Sequence, residues 1–100
     1  MKTNQHNLGL YLKELRISKG LSLKDLAKKT QIDISLISRI EAGERTLNLD
    51  YVPALADVLG VNFKTLQTDL LAFSVSETFK DEEYLIEGLK KAMKNLKERN

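Results

Sequence analysis

The sequence predicts an all-α protein, and three observations carry that prediction. Apolar residues recur at three- and four-residue intervals along most of the chain, the spacing of one face of a helix. Residues that start helices and glycines that stop them punctuate those stripes. No segment shows the convincing apolar–polar alternation that a half-buried strand requires.

The elements follow in order. Residues 1–7 are polar and read as a flexible arm. Leu8, Leu12 and Leu15, with Tyr11 beside them, define a first helix to Ser18, and Gly20 ends it because glycine accepts the left-handed conformation of a C-terminal cap. Ser22 starts a second helix to about Lys29. Asp25 three residues on gives a capping-box spacing, in which the hydroxyl and the carboxylate each take a free backbone N–H. Asp33 caps a third helix from about Ile34 to Ala42, closed by Gly43. The inner positions of these two helices are Leu26, Ala27, Ile37 and Ile40.

Pro53 has no N–H and belongs in a first turn, so a fourth helix begins near Asp50 or Tyr51, rather than at Asn48, and runs to Leu59 and Gly60. Its inner face is Leu55, Ala56 and Leu59. Asn62 caps a fifth helix whose stripe is Phe63, Leu66, Leu70 and Phe73. Residues 74–79 read as a linker. A sixth helix spans Asp81 to Glu98, with Leu85, Leu89, Ala92 and Leu96 on one stripe and Ile86 and Met93 alongside. Acidic residues at its start and basic residues towards its end complement the helix dipole. Such a helix has to cover something, its own domain or another copy.

Bulk composition excludes several functions. Hydrophobic residues make up 42% of 100 residues, enough for one small core. There is no Cys, hence no disulfide, thiol nucleophile or Cys-based zinc site, and the lone His6 cannot assemble a metal site. No nucleophile–base pair or glycine-rich phosphate loop is visible, so neither an enzyme nor a cofactor is expected. No apolar run approaches a membrane span and no leader is evident, so a soluble, cytoplasmic chain is expected. The net charge is only +2, but it is divided unevenly. Residues 1–49 hold nine Lys/Arg against five Asp/Glu; residues 50–100 hold seven against nine. Positive charge gathered around the second and third helices suits a polyanion.

Those two helices are joined by a turn too short to let them lie antiparallel, so they cross steeply and the second projects. In DNA-binding proteins such a helix enters the major groove.

The strings Leu12-Lys13-Glu14-Leu15-Arg16, Gly20-Leu21-Ser22, Asp25-Leu26-Ala27, Ile37-Ser38-Arg39-Ile40-Glu41-Ala42-Gly43-Glu44-Arg45 and Leu55-Ala56-Asp57-Val58-Leu59-Gly60-Val61 stand in one order over about two-thirds of the chain. Together they resemble the Cro/C1-type (Xre) helix-turn-helix family of bacterial and phage regulators. The resemblance implies a five-helix, lambda-repressor-like domain over residues 8–73, followed by a linker and dimerising helix over 74–100. It also implies double-stranded operator DNA as partner and a homodimer as the binding form. The tail is similar to that of some controllers associated with restriction–modification genes.

Carried over position by position, the resemblance implies base contacts from Ile34, Ser35, Ser38 and Arg39. Arg39 suits a bidentate contact with guanine and Ile34 a thymine methyl. It implies backbone contacts from Leu23 and the start of the second helix at Ser22; Lys24, Lys28 and Arg45 are candidate phosphate contacts by charge. Arg16 and Glu41 match a pair that ties the first helix to the end of the third. Leu23, Ile34 and Leu36 depart from the usual polar or small residues, and Leu10 and Ile17 lie off the first helix's inner stripe.

The expected function is a transcriptional regulator, a repressor or an autoregulating controller, binding an inverted repeat. No small-molecule site is apparent. Phe63, Leu66, Leu70, Phe73, Leu85, Leu89, Met93 and Leu96 are the dimerisation candidates. The apolar departures leave a second reading open: a protein-interaction module on the same scaffold, such as an antitoxin or antirepressor component.

Overall fold

The computed structural model describes residues 7–99, and every regular element among them is helical. The helices are α1 (Leu8–Ser18), α2 (Leu23–Thr30), α3 (Ile34–Glu41), α4 (Val52–Leu59), α5 (Phe63–Phe79) and α6 (Leu85–Arg99), with a 3-10 turn at Leu49–Tyr51 before α4. The all-α expectation therefore holds. Residues 1–6, most of the expected arm, and His6 with them, lie outside the described residues. Asn7 is not arm: its Oδ1 accepts the Leu10 N–H at 3.1 Å and caps α1.

Local signals explain the short helices. Ser22 Oγ accepts the Asp25 N–H at 2.9 Å and Asp25 Oδ2 accepts the Ser22 N–H at 3.0 Å, a closed capping box. Hydrogen bonding from Ser22 to the Asp25 carboxyl, from its backbone N–H foremost and then from its side chain, holds that group below its ordinary pKa. Asp33 and Asn62 cap α3 and α5 with the cap half of that motif alone, their side chains accepting the Leu36 and Thr65 N–H groups. The turn between α2 and α3 is closed by Gln31 at φ 63°, the single described non-glycine residue in the left-handed region. Asn48 caps the 3-10 turn through Asp50 N–H at 2.8 Å, so the helical course before α4 starts earlier than expected, while the α-helix itself starts at Val52 with Pro53 in its first turn.

The core is built around α4 and α5. Val52, Leu59, Leu66 and Leu70 are its most completely buried large side chains, surrounded by Leu8, Leu12, Leu26, Ile37, Ile40 and Leu55. Helix α1 lies across α3 at unusually short range. A Cβ on Gly9 would sit 2.5 Å from the carbonyl oxygens of both Ile40 and Glu41, so only glycine permits this crossing.

Two expectations about the C-terminal third need correction. Residues 74–79 are not a linker but the last turns of α5. Tertiary contacts outweigh the modest helix propensity of Ser, Val and Thr there. Glu77 Oε2 accepts the Leu8 N–H at 2.7 Å, which places a carboxylate at the positive end of α1. The Phe73 ring packs on Tyr11 at 5.2 Å, and Asp69 Oδ2 accepts the Tyr11 hydroxyl at 2.7 Å. Leu66 and Leu70 are therefore core residues, at 1% and 0% exposure, and cannot be dimer contacts. The break lies at residues 80–84, where the Glu82 N–H bonds to Phe79 O and the Leu85 N–H to Glu82 O. As a result α6 begins at Leu85, and Asp81, Glu82 and Glu83 lie in the turn before it.

Candidate nucleic-acid interface

Helix α3 has two unlike faces. Ile37, Ile40 and Glu41 are buried, while Ile34, Ser35, Ser38 and Arg39 are all exposed on the opposite side. The four residues expected to meet bases thus share one outward surface. It combines an apolar side chain, two hydroxyls and a guanidinium, a set able to match methyl groups, mixed donors and acceptors, and guanine. Glu44 N–H closes on Arg39 O at 2.8 Å and Gly43 N–H on Ile40 O at 3.0 Å, so the helix stops just past Arg39.

The expected phosphate-contacting cations are exposed as well. Lys24 and Lys28 are exposed four residues apart on α2, and Arg45 is exposed in the loop after α3. The start of α2 is more restricted than expected. Asp25 occupies the Ser22 N–H, which is therefore not open to a phosphate. Leu23 packs its side chain against the core, so its own contribution is the backbone N–H, which in a first turn has no intrahelical partner. Leu36 packs against the core as well. Of the three apolar departures, Ile34 alone points outward, at 42% exposure. On α1, Leu10 is half-buried and Ile17 is exposed.

What holds α3 in place is the buried pair at its end. Arg16 Nε donates to Glu41 Oε2 at 2.8 Å and Nη2 to Oε1 at 2.9 Å, two parallel bonds that fix the guanidinium plane. Nη1 reaches Leu21 O at 2.8 Å, in the segment between α1 and α2. The Glu41 carboxylate holds the Arg16 charge more firmly than usual, its hydrogen bonds outweighing the penalty of burial. Thus one side chain ties α1, the α1–α2 connection and the C-terminal end of α3 together. Gly9, the close-approach residue at the other end of this contact, was not recognisable beforehand; a glycine inside an otherwise apolar helical stripe was its only trace.

The two expected dimer residues of α5 that stay outside the core differ. Phe63 is 45% exposed, whereas Phe73 is half-buried against Tyr11. On α6, Leu85 and Leu89 are half-buried, and Met93 and Leu96 are exposed at 56% and 57%. No described residue of α6 is buried. No helix among the described residues is long and apolar enough to cross a membrane.

A helix-turn-helix family model matches residues 12–66, more than half of the chain. The HTH-type transcriptional regulator DdrOP3 of Deinococcus deserti is 36% identical over 55 residues. That match covers 55% of this chain and 43% of the relative, so the chain spans less than half of that regulator's length. The crystal structure of the clp gene regulator ClgR from Corynebacterium glutamicum superposes with a TM-score of 0.57 at 19% identity, over 84% of this chain and 90% of that one, a likeness of fold. With the matched segment running from α1 into α5 and enclosing the whole α2–turn–α3 unit, this chain belongs to the helix-turn-helix family of the Cro/C1 (Xre) type.

Proposed function

We propose that this protein is a DNA-binding transcriptional regulator that reads an inverted-repeat operator as a homodimer, acting as a repressor or an autoregulating controller. The observation that carries the reading is the outward face of α3, where Ile34, Ser35, Ser38 and Arg39 stand together on a helix locked by the Arg16–Glu41 pair. Lys24, Lys28 and Arg45, all exposed, and the first turn of α2 supply groups suited to phosphates, which supports the reading. Two copies would set their third helices about 34 Å apart, one DNA turn. Dimerisation falls to α6, none of whose apolar residues is fully buried within the chain, with the exposed Phe63 as the remaining candidate on α5.

The protein-interaction alternative drew on three apolar substitutions. Leu23 and Leu36 now have an intramolecular explanation in their packing on the core, which leaves Ile34 as its sole support.

The test is a footprint on the DNA upstream of the protein's own gene at two salt concentrations. A protected inverted repeat that weakens steeply as salt rises supports the proposal, because neutralised phosphates release counterions. No protection at low salt would favour the protein-interaction alternative.

A further inference from the structure

We infer that two copies of α6 pair antiparallel, each laying its Leu85–Leu96 stripe against the other's in reverse order. This rests on the reading of α6 as the dimerising element and adds the orientation and register. Three features of the helix point the same way.

The first is the seam. Leu85, Leu89, Ala92 and Leu96 follow a four-three-four spacing, the d-a-d-a positions of a short coiled coil. In a parallel pair like meets like, so Ala92 faces Ala92 and leaves a gap. In an antiparallel pair each a position meets a d position. Leu85 then packs on Leu96 and Leu89 on Ala92, so both central layers combine one large and one small side chain. Facing large with small fills the layers.

The second is charge. Asp81, Glu82 and Glu83 lie just before α6, while Lys97 and Arg99 lie at its far end. Parallel pairing places acidic turn beside acidic turn and cation beside cation. Antiparallel pairing places each acidic turn beside the partner's Lys97 and Arg99.

The third is shape. Phe79, Tyr84, Leu85, Gly88 and Leu89, together with Glu82 and Glu83, line a concave and mainly apolar surface where α5 turns into α6. Antiparallel register delivers Leu96 of the second copy to it. Tyr84 is 70% exposed and Leu96 57% exposed in the single chain, so both have surface to lose. A 15-residue helix is about 22 Å long, so the pair buries a small interface and association is weak and concentration-dependent.

The chain has no cysteine, which makes crosslinking of the full-length protein unambiguous. Leu85→Cys and Leu96→Cys proteins are oxidised separately and as a mixture, without DNA, so the outcome is independent of the DNA-binding reading. Crosslinked dimers in the mixture alone are expected, since like positions then lie about 16 Å apart, beyond disulfide reach. Sedimentation of otherwise native protein should show Lys97→Glu with Arg99→Glu weakening self-association by about tenfold at low salt. Mixing that variant with Glu82→Lys/Glu83→Lys protein should restore association. None of these side chains is buried, so folding is not at stake. Crosslinked dimers from Leu85→Cys alone would overturn the proposal in favour of parallel pairing. A monomeric mass at every concentration, or a dimer that survives removal of residues 85–99, would overturn it too.

Discussion

Helices α3 and α6 are both amphipathic, and their fates differ. Helix α3 buries Ile37, Ile40 and Glu41 and packs Leu36 against the core, whereas α6 has no fully buried residue and leaves Leu85 and Leu89 only half-covered. Sequence pattern alone does not separate the two, because each shows a clear apolar stripe. What separates them is the polar anchoring that surrounds α3: a bidentate ion pair, a close glycine crossing and capped ends. A helix fixed in that way can present a rigid face to a duplex. Under the proposed function, a helix with an uncovered stripe takes a second copy as its partner, and the binding-competent form then depends on concentration.

The sharpest way to break this contrast is to remove the anchor. Glu41→Ala leaves the Arg16 guanidinium buried and uncompensated, and is expected to cost about 3–5 kcal/mol in urea denaturation. Replacing both partners with apolar residues of similar volume should recover most of that loss. If it does, the pair serves the placement of α3 more than net stability. Gly9→Ala should cost about 1–3 kcal/mol, because the added methyl forces α1 away from the Ile40 and Glu41 carbonyls; a variant as stable as the parent would show that the crossing is not tight.

Smaller effects sharpen the comparison. Tyr11→Phe removes the hydroxyl bonded to Asp69 and should cost about 1 kcal/mol. Burial first, and then Asp69, push the Tyr11 phenol up to about 12. An unfolded tyrosine ionises near about 10, so the stabilisation from the protonated phenol is complete below that pH. It is lost as pH rises towards the folded value. Denaturation midpoints in wild type should therefore fall more steeply above pH of about 10 than in Tyr11→Phe. At the bottom of the scale, Met93→Ser should change the stability of dilute protein by no more than about 0.5 kcal/mol, because that side chain is exposed in the single chain.

Much of the fold was legible for identifiable reasons. Ser22 with Asp25, Asp33, Asn62, Gly43 and Gly60 are local signals, and each acts within a few residues of itself. The α5 extension was not legible, because Ser74 to Phe79 reads as weak helix and is tied down through Glu77 by the Leu8 N–H, 69 positions away in sequence. For the same reason Leu66 and Leu70 looked like free stripe: their spacing reveals a face and does not say what covers it. The outward residues of α3 came from the family pattern, and their shared exposure follows from the helix period. The occupation of the Ser22 N–H by Asp25 and the inward turn of Leu23 and Leu36 needed coordinates.

The central claim is that α3's exposed face reads sequence while α2 and the following loop hold the backbone. The most direct measurement is the binding of Arg39→Ala and Lys28→Ala proteins to the footprinted upstream duplex and to a scrambled duplex, each at two salt concentrations. Arg39→Ala is expected to lose about 1–3 kcal/mol on the specific duplex alone, while Lys28→Ala weakens both duplexes alike and flattens the salt dependence. Equal loss on both duplexes for Arg39→Ala, or no loss on either, would contradict that claim.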